Sequence, residues 1–265
     1  MNRYLRRIVD SNCRMLESSA EDFEAIYNIM FRFEDNIFCE TDEGFETRLY
    51  TYGEVKKMIE KASSALHSRI GATHGYVALE MENCVEWIVA FWAILRSGNK
   101  PYLVNCRHPL SLSDGIVSTL QIKYIIGKKE SELSGEFIDI SLLSSDEPFE
   151  GEFENEIALS TSATTLKEVV CFYTGKEMTR QLLNTEGILK SSEQISKHYK
   201  GSLKQLAFLP FYHIFGLVAV YFWFAFFGRT FVFLKDYSAD TIVKTCRAHK
   251  VTHVFAVPML WHTIE

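Results

Sequence analysis

The chain has 265 residues, of which 47% are hydrophobic and 14% aromatic, and its formal net charge is −6. This composition excludes a disordered protein, because disordered chains lack the apolar residues that a buried core requires. The acidic balance and the lack of basic blocks argue against nucleic acid as a partner.

The cysteines and the N-terminal residues predict a cytoplasmic protein. The six cysteines lie far apart with no C-x-x-C pair, which favours reduced thiols over a disulfide framework or a zinc site. Residues 1–16 are basic and weakly amphipathic but lack the unbroken apolar core of a signal peptide. We interpret them as a surface arm.

The first predicted elements are a helix, a hairpin and a second helix. Apolar residues at helical spacing predict a helix over 21–33, and a polar hairpin follows over 36–50. Thr51 and Glu54 have the spacing of a capping box, which predicts a helix start. Gly71 is expected to end this helix.

Strands and helices then alternate. The sequence predicts, in order, a strand at 76–81, a helix at 83–97, a strand at 100–104, a helix at 113–120 and a strand at 124–126. Asn83 and Glu86 are expected to cap the first of these helices, and Gly98 to end it. Such alternation implies a parallel sheet covered on both faces.

The composition shifts in the middle of the chain. Residues 128–155 are rich in Ser, Glu, Asp and Gly, which predicts a solvated connection between two sheets. An amphipathic helix follows over 176–200, in two pieces broken near 184–187. We therefore divide the chain into an N-terminal arm and helix (1–49), a first α/β subdomain (50–150) and a second (151–265).

A loop rich in hydroxyl groups lies between two apolar runs, 157–159 and 169–173. Five of the six residues from Ser160 to Thr165 carry a hydroxyl, and the pattern predicts strand, loop and strand. An ordinary hairpin with a polar tip is one interpretation. Backbone N–H and hydroxyl donors at a tight turn would also suit a polyphosphate.

No charged residue occurs over 206–227, a length that could span a bilayer. Pro210, His213 and Gly216 interrupt the run, which favours a buried strand, a loop and a core helix. On residue chemistry alone, a histidine among aromatic residues is more often a hydrogen-bonded core residue. Further on, the sequence predicts a strand at 230–234, a helix capped by Ser238, a strand at 251–257 and a helix begun by Pro258.

The hydroxyl loop resembles the phosphate loop of the AMP-forming adenylating enzymes, the superfamily of acyl-CoA synthetases, luciferases and peptide-synthetase adenylation domains. Residues 161–165, TSATT, are similar to the start of that family's T-S-G-T-T-G-x-P-K. Ala163 and Leu166 stand where the family has glycine, Glu168 where it has proline and Val169 where it has lysine.

Four other segments carry the same resemblance, which covers residues 50–265. YTYGEV at 50–55 is similar to the family's L-T-Y-x-E-L, and WAILRSGNKPYLVN at 92–105 resembles A-x-L-K-A-G-A-x-x-x-P-L-N. Pro210, His213 and Gly216 match P-x-x-H-x-x-G in every defined position. VFAVP at 254–258 resembles the V-P motif that leads into a helix.

The resemblance implies a fold and an activity. The fold would be α/β, with two largely parallel sheets packed with helices, as in the large N-terminal domain of these synthetases but incomplete at the C-terminus. The enzyme would adenylate a small-molecule carboxylate with ATP and Mg²⁺ and pass the acyl group to a thiol such as CoA. His213 would lie beside the substrate carboxylate, at the rim of a cavity lined by aromatic residues such as Phe211, Tyr212 and Phe215. The nucleotide would be bound by Thr161, Ser162, Ala163, Thr164, Thr165 and Lys167.

Part of the family's catalytic set has no counterpart before Glu265, namely the motifs for adenine and ribose and the C-terminal lysine. Since Glu265 falls about two turns into the helix expected from Pro258, we expect a fragment boundary there. We expect the 265-residue chain alone to be inactive. Two alternatives stay open: a non-catalytic binding or scaffold protein that kept the fold, and a membrane-associated protein that uses the 206–227 run.

Overall fold

The computed structural model describes residues 3–44, 46–161, 169–191 and 203–256, but not the side chains of residues 3–6, 161, 185–186 and 188–191. Its helices are α1 (Arg3–Glu17), α2 (Phe23–Met30), α3 (Tyr52–Ile70), α4 (Val85–Arg96), α5 (Leu110–Thr119), α6 (Gly175–Ser191), α7 (Trp223–Phe226) and α8 (Ala239–Ala248). Its strands are β1 (Ile37–Glu43), β2 (Glu46–Thr51), β3 (Tyr76–Glu80), β4 (Lys100–Leu103), β5 (Tyr124–Gly127), β6 (Glu136–Asp139), β7 (Glu156–Thr161), β8 (Val169–Thr174), β9 (Lys204–Leu206), β10 (Thr230–Val232) and β11 (His253–Val254).

The strands form two sheets, so the expected α/β fold with largely parallel sheets is confirmed. One sheet has the order β6-β5-β3-β4-β7-β8 and is parallel except for the β7–β8 pair. The other has the order β11-β9-β10-β1-β2 and is parallel except for the β1–β2 hairpin. Sheet membership does not follow chain order, since β1 near the N-terminus pairs with β10.

Helix α4 is the centre of the core. Every one of its residues except Glu86 is buried, as expected for a helix that is apolar on all sides. Trp87 and Phe91 stack with ring centroids 5.3 Å apart, and the indole N–H of Trp92 donates to the Tyr221 hydroxyl at 2.6 Å. Arg96 is buried at the end of α4, where it donates to the Ser63 hydroxyl and to the carbonyls of Phe149 and Glu150 at 2.7 to 3.0 Å.

The predicted helix ends in the front half are largely confirmed. The Thr51 hydroxyl accepts from the Glu54 N–H at 3.1 Å, and the Glu54 carboxylate accepts from the Thr51 N–H at 2.7 Å, which completes the capping box. Gly98 has a φ of 80°, and a Cβ there would lie 2.5 Å from the Ala72 Cβ. Both the backbone angle and the close approach therefore require glycine.

The interpretation of residues 1–16 as a surface arm is wrong. Residues 3–17 form α1, and Val9, Cys13 and Leu16 belong to the main hydrophobic core. These three lie at helical spacing among charged residues, which makes the stripe weak in the sequence. The Asn12 amide also donates to the Phe226 carbonyl and so ties α1 to α7.

Three predictions for the middle of the chain are also wrong. The 128–155 segment is not only a solvated connection, because it contains β6, which pairs in parallel with β5. Ile138 on β6, with Ile140 and Leu143 after it, enters the main core. Helix α6 runs without a break through 184–187, and α5 begins at Leu110, three residues before the predicted start.

The uncharged 206–227 run folds as a strand end, a loop and a buried helix, as expected. It begins at the last residue of β9, and a π-helical segment, Gly216–Phe222, leads into α7. Among the residues that the structure describes, no helix is long and apolar enough to cross a membrane. The strand predicted at 251–257 is represented by the two residues of β11, and the helix expected from Pro258 lies outside the described residues.

His249, which follows α8, is buried between two carboxylates and supports a stability prediction. Its Nδ1 lies 2.9 Å from Glu40 Oε2, and its Nε2 lies 3.1 Å from Asp42 Oδ1. Each ring nitrogen therefore faces a carboxylate oxygen within hydrogen-bond distance. His249→Ala leaves Glu40, which is only 8% exposed, with Lys204 as its remaining charged partner. We expect a loss of about 2–4 kcal/mol in the free energy of unfolding, measured by urea titration.

The control for this prediction is His74→Ala. His74 also contacts two carboxylates, those of Glu152 and Glu154, but its side chain is 60% exposed. An exposed pair contributes less than about 1 kcal/mol. Equal losses of unfolding free energy in the two variants would contradict the view that His249 stabilises the protein by linking Glu40 and Asp42.

Candidate functional site

One edge of the six-stranded sheet gathers the polar residues that follow its parallel strands. Strands β3, β4 and β7 are adjacent and run in the same direction, so their carboxyl ends lie at the same edge. Glu82 and Asn83 follow β3, Arg107 and His108 follow β4, and the hydroxyl loop follows β7. In open α/β sheets this edge is the usual place for ligands.

The hydroxyl loop lies in the chain between β7 and β8, and the two predicted strands on either side of it are confirmed. The two strands are antiparallel, with Thr161 opposite Val169. Thr161 ends β7, while Ser162, Ala163, Thr164, Thr165 and Lys167 lie outside the described residues. Their part in phosphate binding therefore stays a prediction. Val169, at the position of the family's lysine, begins β8 with 55% of its surface exposed.

His213 lies between the aromatic core and the surface. It is half-buried, and its ring centroid is 5.0 Å from that of Tyr212. Burial lowers the pKa of the imidazole, and the charges of His108 and Arg107 lower it further. The ring is therefore neutral at pH 7, with one nitrogen able to donate and the other to accept.

The cavity expected beside His213 is only partly supported by its neighbours. Phe211 and Tyr212 have no exposed surface, whereas Phe215 is 55% exposed. Of the three aromatic residues expected to line a cavity, only Phe215 reaches solvent. The position of His213 beside a substrate carboxylate stays a prediction.

The spacing of Pro210, His213 and Gly216 has a steric cause. The Pro210 carbonyl accepts from the His213 N–H at 3.1 Å. A Cβ on Gly216 would lie 2.0 Å from that same carbonyl oxygen. Glycine is therefore required where the π-helical segment begins. Both His213 and Gly216, where the π-helical segment begins, thus contact the Pro210 carbonyl group.

Asn83 does not cap α4, and that prediction is wrong. The residue at the N-cap is Cys84, which makes no capping hydrogen bond through its side chain. The Asn83 amide instead donates to the carbonyls of Ala207 and Leu209 at 2.9 and 2.8 Å, and its oxygen accepts from the Phe211 N–H at 2.9 Å. Asn83 thus connects the edge of the six-stranded sheet to the segment that follows β9.

A cluster that we did not predict lies near this edge. The Arg107 Nε is 3.5 Å from a Glu82 carboxylate oxygen, and its guanidinium is 4.8 Å from the centre of the Tyr237 ring. The Tyr237 hydroxyl lies 3.4 Å from the other Glu82 oxygen. Glu82 directly follows the strand predicted at 76–81, and Arg107 lies three residues after the strand predicted at 100–104. These positions are the signal that could have identified them.

Cys106 directly precedes Arg107 of this cluster in the chain. Burial, with the charges of Glu82 and Glu80, raises the pKa of Cys106 to about 12. Its thiol therefore stays protonated. Within the described part of the chain, no group of three or more His, Cys, Asp or Glu residues is arranged to hold a metal ion.

Comparison with known proteins gives one family match. Residues 30–167 and 161–265 match the family model described as AMP-binding enzyme. No curated protein matches the chain.

Several solved structures share the fold. O-succinylbenzoate CoA synthetase (MenE) from Bacillus subtilis, in complex with the acyl-adenylate OSB-AMP, is 18% identical with a TM-score of 0.74; the match covers 90% of this chain and 63% of MenE. A MenE structure with ATP and magnesium ion is also 18% identical with a TM-score of 0.74, covering 90% and 50%. The N-terminal subdomain of NpsA from Klebsiella oxytoca, with 3-hydroxybenzoyl-AMSN, is 17% identical with a TM-score of 0.70, covering 89% and 59%. The chain thus spans 50 to 63% of the length of these chains.

Proposed function

Because the chain belongs to the AMP-binding enzyme family, we propose that it is the N-terminal part of an AMP-forming carboxylate ligase. The observation that supports this proposal is that the strand before the hydroxyl loop and the residue that holds the P-x-x-H-x-x-G segment lie at the same edge of the six-stranded sheet. The hydroxyl loop follows β7 at the carboxyl edge, and the P-x-x-H-x-x-G segment is tied to the residue that follows β3 at that same edge. MenE from Bacillus subtilis, which shares this fold, has been solved in complex with an acyl-adenylate.

The proposed reaction joins a carboxylate to AMP. A carboxylate oxygen attacks the α-phosphorus of ATP, pyrophosphate leaves, and an acyl-adenylate forms. A thiol such as that of CoA then attacks the acyl carbon and AMP leaves. Such catalysis consists mainly of positioning the reactants and stabilising charge.

The loop would supply donors to the phosphates. The hydroxyls of Thr161, Ser162, Thr164 and Thr165 can each donate one hydrogen bond, and Lys167 is the only cation of the 160–175 segment. Mg²⁺ bound with ATP would neutralise part of the triphosphate charge. The hydroxyl donors fit a polyphosphate, while the apolar, exposed Val169 does not.

His213 would orient the substrate carboxylate. Its neutral ring can donate one hydrogen bond to a carboxylate oxygen without forming an ion pair. The proposed substrate is therefore a small carboxylic acid held beside the P-x-x-H-x-x-G turn.

The second candidate function is a non-catalytic binding or scaffold domain. The observation that favours it is Val169, whose apolar side chain carries no charge at the position of the family's lysine. Whether the complete protein exchanges pyrophosphate into ATP in the presence of a carboxylate distinguishes the two candidate functions.

His213→Ala is the test of the proposed site. In carboxylate-dependent exchange of pyrophosphate into ATP, measured with the complete protein, we expect kcat/KM for the carboxylate to fall about ten- to hundredfold because a positioning contact is lost. His74→Ala is the control, since His74 is exposed and precedes β3 at the opposite edge. Unchanged exchange in His213→Ala would remove this residue from the site. Absence of exchange with every carboxylate in the unmodified protein would favour the scaffold.

A further inference from the structure

We propose that Asn83 is a positioning residue that sets the place of His213 from the opposite sheet. The inference rests on the proposed role of His213 beside a carboxylate. Asn83 belongs to the loop after β3 in the six-stranded sheet, whereas His213 belongs to the loop after β9 in the five-stranded sheet. The arrangement of the site thus depends on a contact between the sheets.

Asn83 makes three hydrogen bonds to one short stretch of backbone. Its amide nitrogen donates to the carbonyls of Ala207 and Leu209, and its amide oxygen accepts from the Phe211 N–H, all at 2.8 to 2.9 Å. Asn83 is only 7% exposed, so water cannot readily replace these bonds. A buried carbonyl that loses its donor carries a desolvation penalty of about 1–3 kcal/mol.

Residues 207–211, which Asn83 holds by these hydrogen bonds, in turn determine where His213 lies. Asn83 fixes the residues immediately before and after Pro210, and the Pro210 carbonyl accepts from the His213 N–H at 3.1 Å. Gly216 lies against the same carbonyl. A shift of the 207–211 backbone therefore moves the histidine and the start of the π-helical segment together.

The pKa of the His213 imidazole depends on where the ring lies and can therefore be used to detect a change in its position. Burial lowers its pKa, and the charged or titratable groups that act on it are Arg107 and His108. Both follow β4, in the sheet to which Asn83 belongs. If the turn loosens and the ring moves toward water, its pKa should rise toward the ordinary histidine value.

The test compares two buried asparagines in the same sheet. Asn99 is fully buried before β4, at the edge opposite Asn83. Its amide donates to the carbonyls of Gly71 and Ser97, and its oxygen accepts from the Thr73 N–H and hydroxyl. Asn83→Ala and Asn99→Ala therefore remove similar sets of hydrogen bonds, so that a general loss of stability affects both.

The readouts are the NMR titration of His213 and hydrogen exchange at the Phe211 amide. In Asn83→Ala we expect the His213 midpoint to rise and the Phe211 amide to exchange faster, with neither change in Asn99→Ala. Equal behaviour of the two variants, or an unchanged His213 titration in Asn83→Ala, would overturn the proposal.

Two further measurements keep the test decisive. If Asn83→Ala does not fold, Asn83→Asp takes its place. The aspartate keeps the shape of the side chain and the acceptor for the Phe211 N–H but removes both donors. Hydrogen exchange at the Ala207 and Phe208 amides should then accelerate, and unchanged exchange would overturn the proposal.

In the complete enzyme, Asn83→Ala should lower kcat/KM for the carboxylate about tenfold, and Asn99→Ala should not. Absence of activity in the unmodified enzyme would refute the proposed function, while the His213 titration would still decide the role of Asn83.

Discussion

Gly216→Ala is expected to lower the free energy of unfolding by about 2–3 kcal/mol, measured by urea unfolding. The added Cβ would lie 2.0 Å from the Pro210 carbonyl oxygen and 3.0 Å from that of Leu209. Both are backbone atoms, so no side chain can rotate away. The turn that carries His213 must move, and we also expect the His213 resonances to shift.

The control for this prediction is Gly115→Ala in α5. A Cβ at Gly115 meets no atom within 4 Å, and alanine is the better helix former. We expect this variant to be stabilised by about 0.5–1 kcal/mol. If the free energy of unfolding falls in Gly216→Ala but rises in Gly115→Ala, the close approach to Pro210 is the reason that glycine is required at position 216. Full stability of Gly216→Ala would contradict the geometry of the turn.

We expect this chain to bind Mg-ATP with a dissociation constant well above the low micromolar range. Ala163 and Leu166 carry a Cβ where the family-like loop has glycine, which limits backbone approach to the phosphates. Val169 supplies no charge at the lysine position. One lost charge-assisted contact corresponds to about 1.5–3 kcal/mol, roughly a ten- to hundredfold change in affinity. Calorimetry with Mg-ATP measures this directly.

Restoring the missing groups should strengthen this binding. In Leu166→Gly with Val169→Lys, we expect the affinity for Mg-ATP to rise at least about tenfold. Val169 is exposed at the start of β8, so a lysine there need not be buried. The control combines Leu166→Gly with Leu142→Lys, which adds the same charge at a 75% exposed residue just after β6, at the other end of the sheet. Low micromolar binding by the unmodified chain would show that its own loop suffices.

Much of the fold could be predicted because its signals are local. The capping box at Thr51 and the glycine at position 98 each depend on a few neighbouring residues, and both are confirmed. The β6 strand was missed because its four residues begin and end with a carboxylate. The core stripe of α1 was missed because charged residues, Asp10 and Arg14, lie between its core positions.

The site was less predictable because it depends on contacts between distant segments. Asn83 has the local pattern of a helix cap, and only the approach of residues 207–211 shows that its side chain is used elsewhere. His213 and Gly216 were identified through their spacing, yet the reason for that spacing is a carbonyl group that no sequence pattern reveals. The roles assigned to the 162–167 loop stay predictions.

The pairing of β1 with β10 has a consequence for synthesis on the ribosome. All strands of the six-stranded sheet lie between residues 76 and 174, so this sheet can assemble while the chain is still growing. The β1–β2 hairpin cannot pair with β10 until residues 230–232 have been synthesised, and Asn12 cannot form its hydrogen bond until Phe226 has been synthesised. Until then α1 and the hairpin expose apolar surface, which is where a nascent chain is most open to chaperones and to aggregation. Pulse-labelled hydrogen exchange during refolding should accordingly protect β3–β5 before β1.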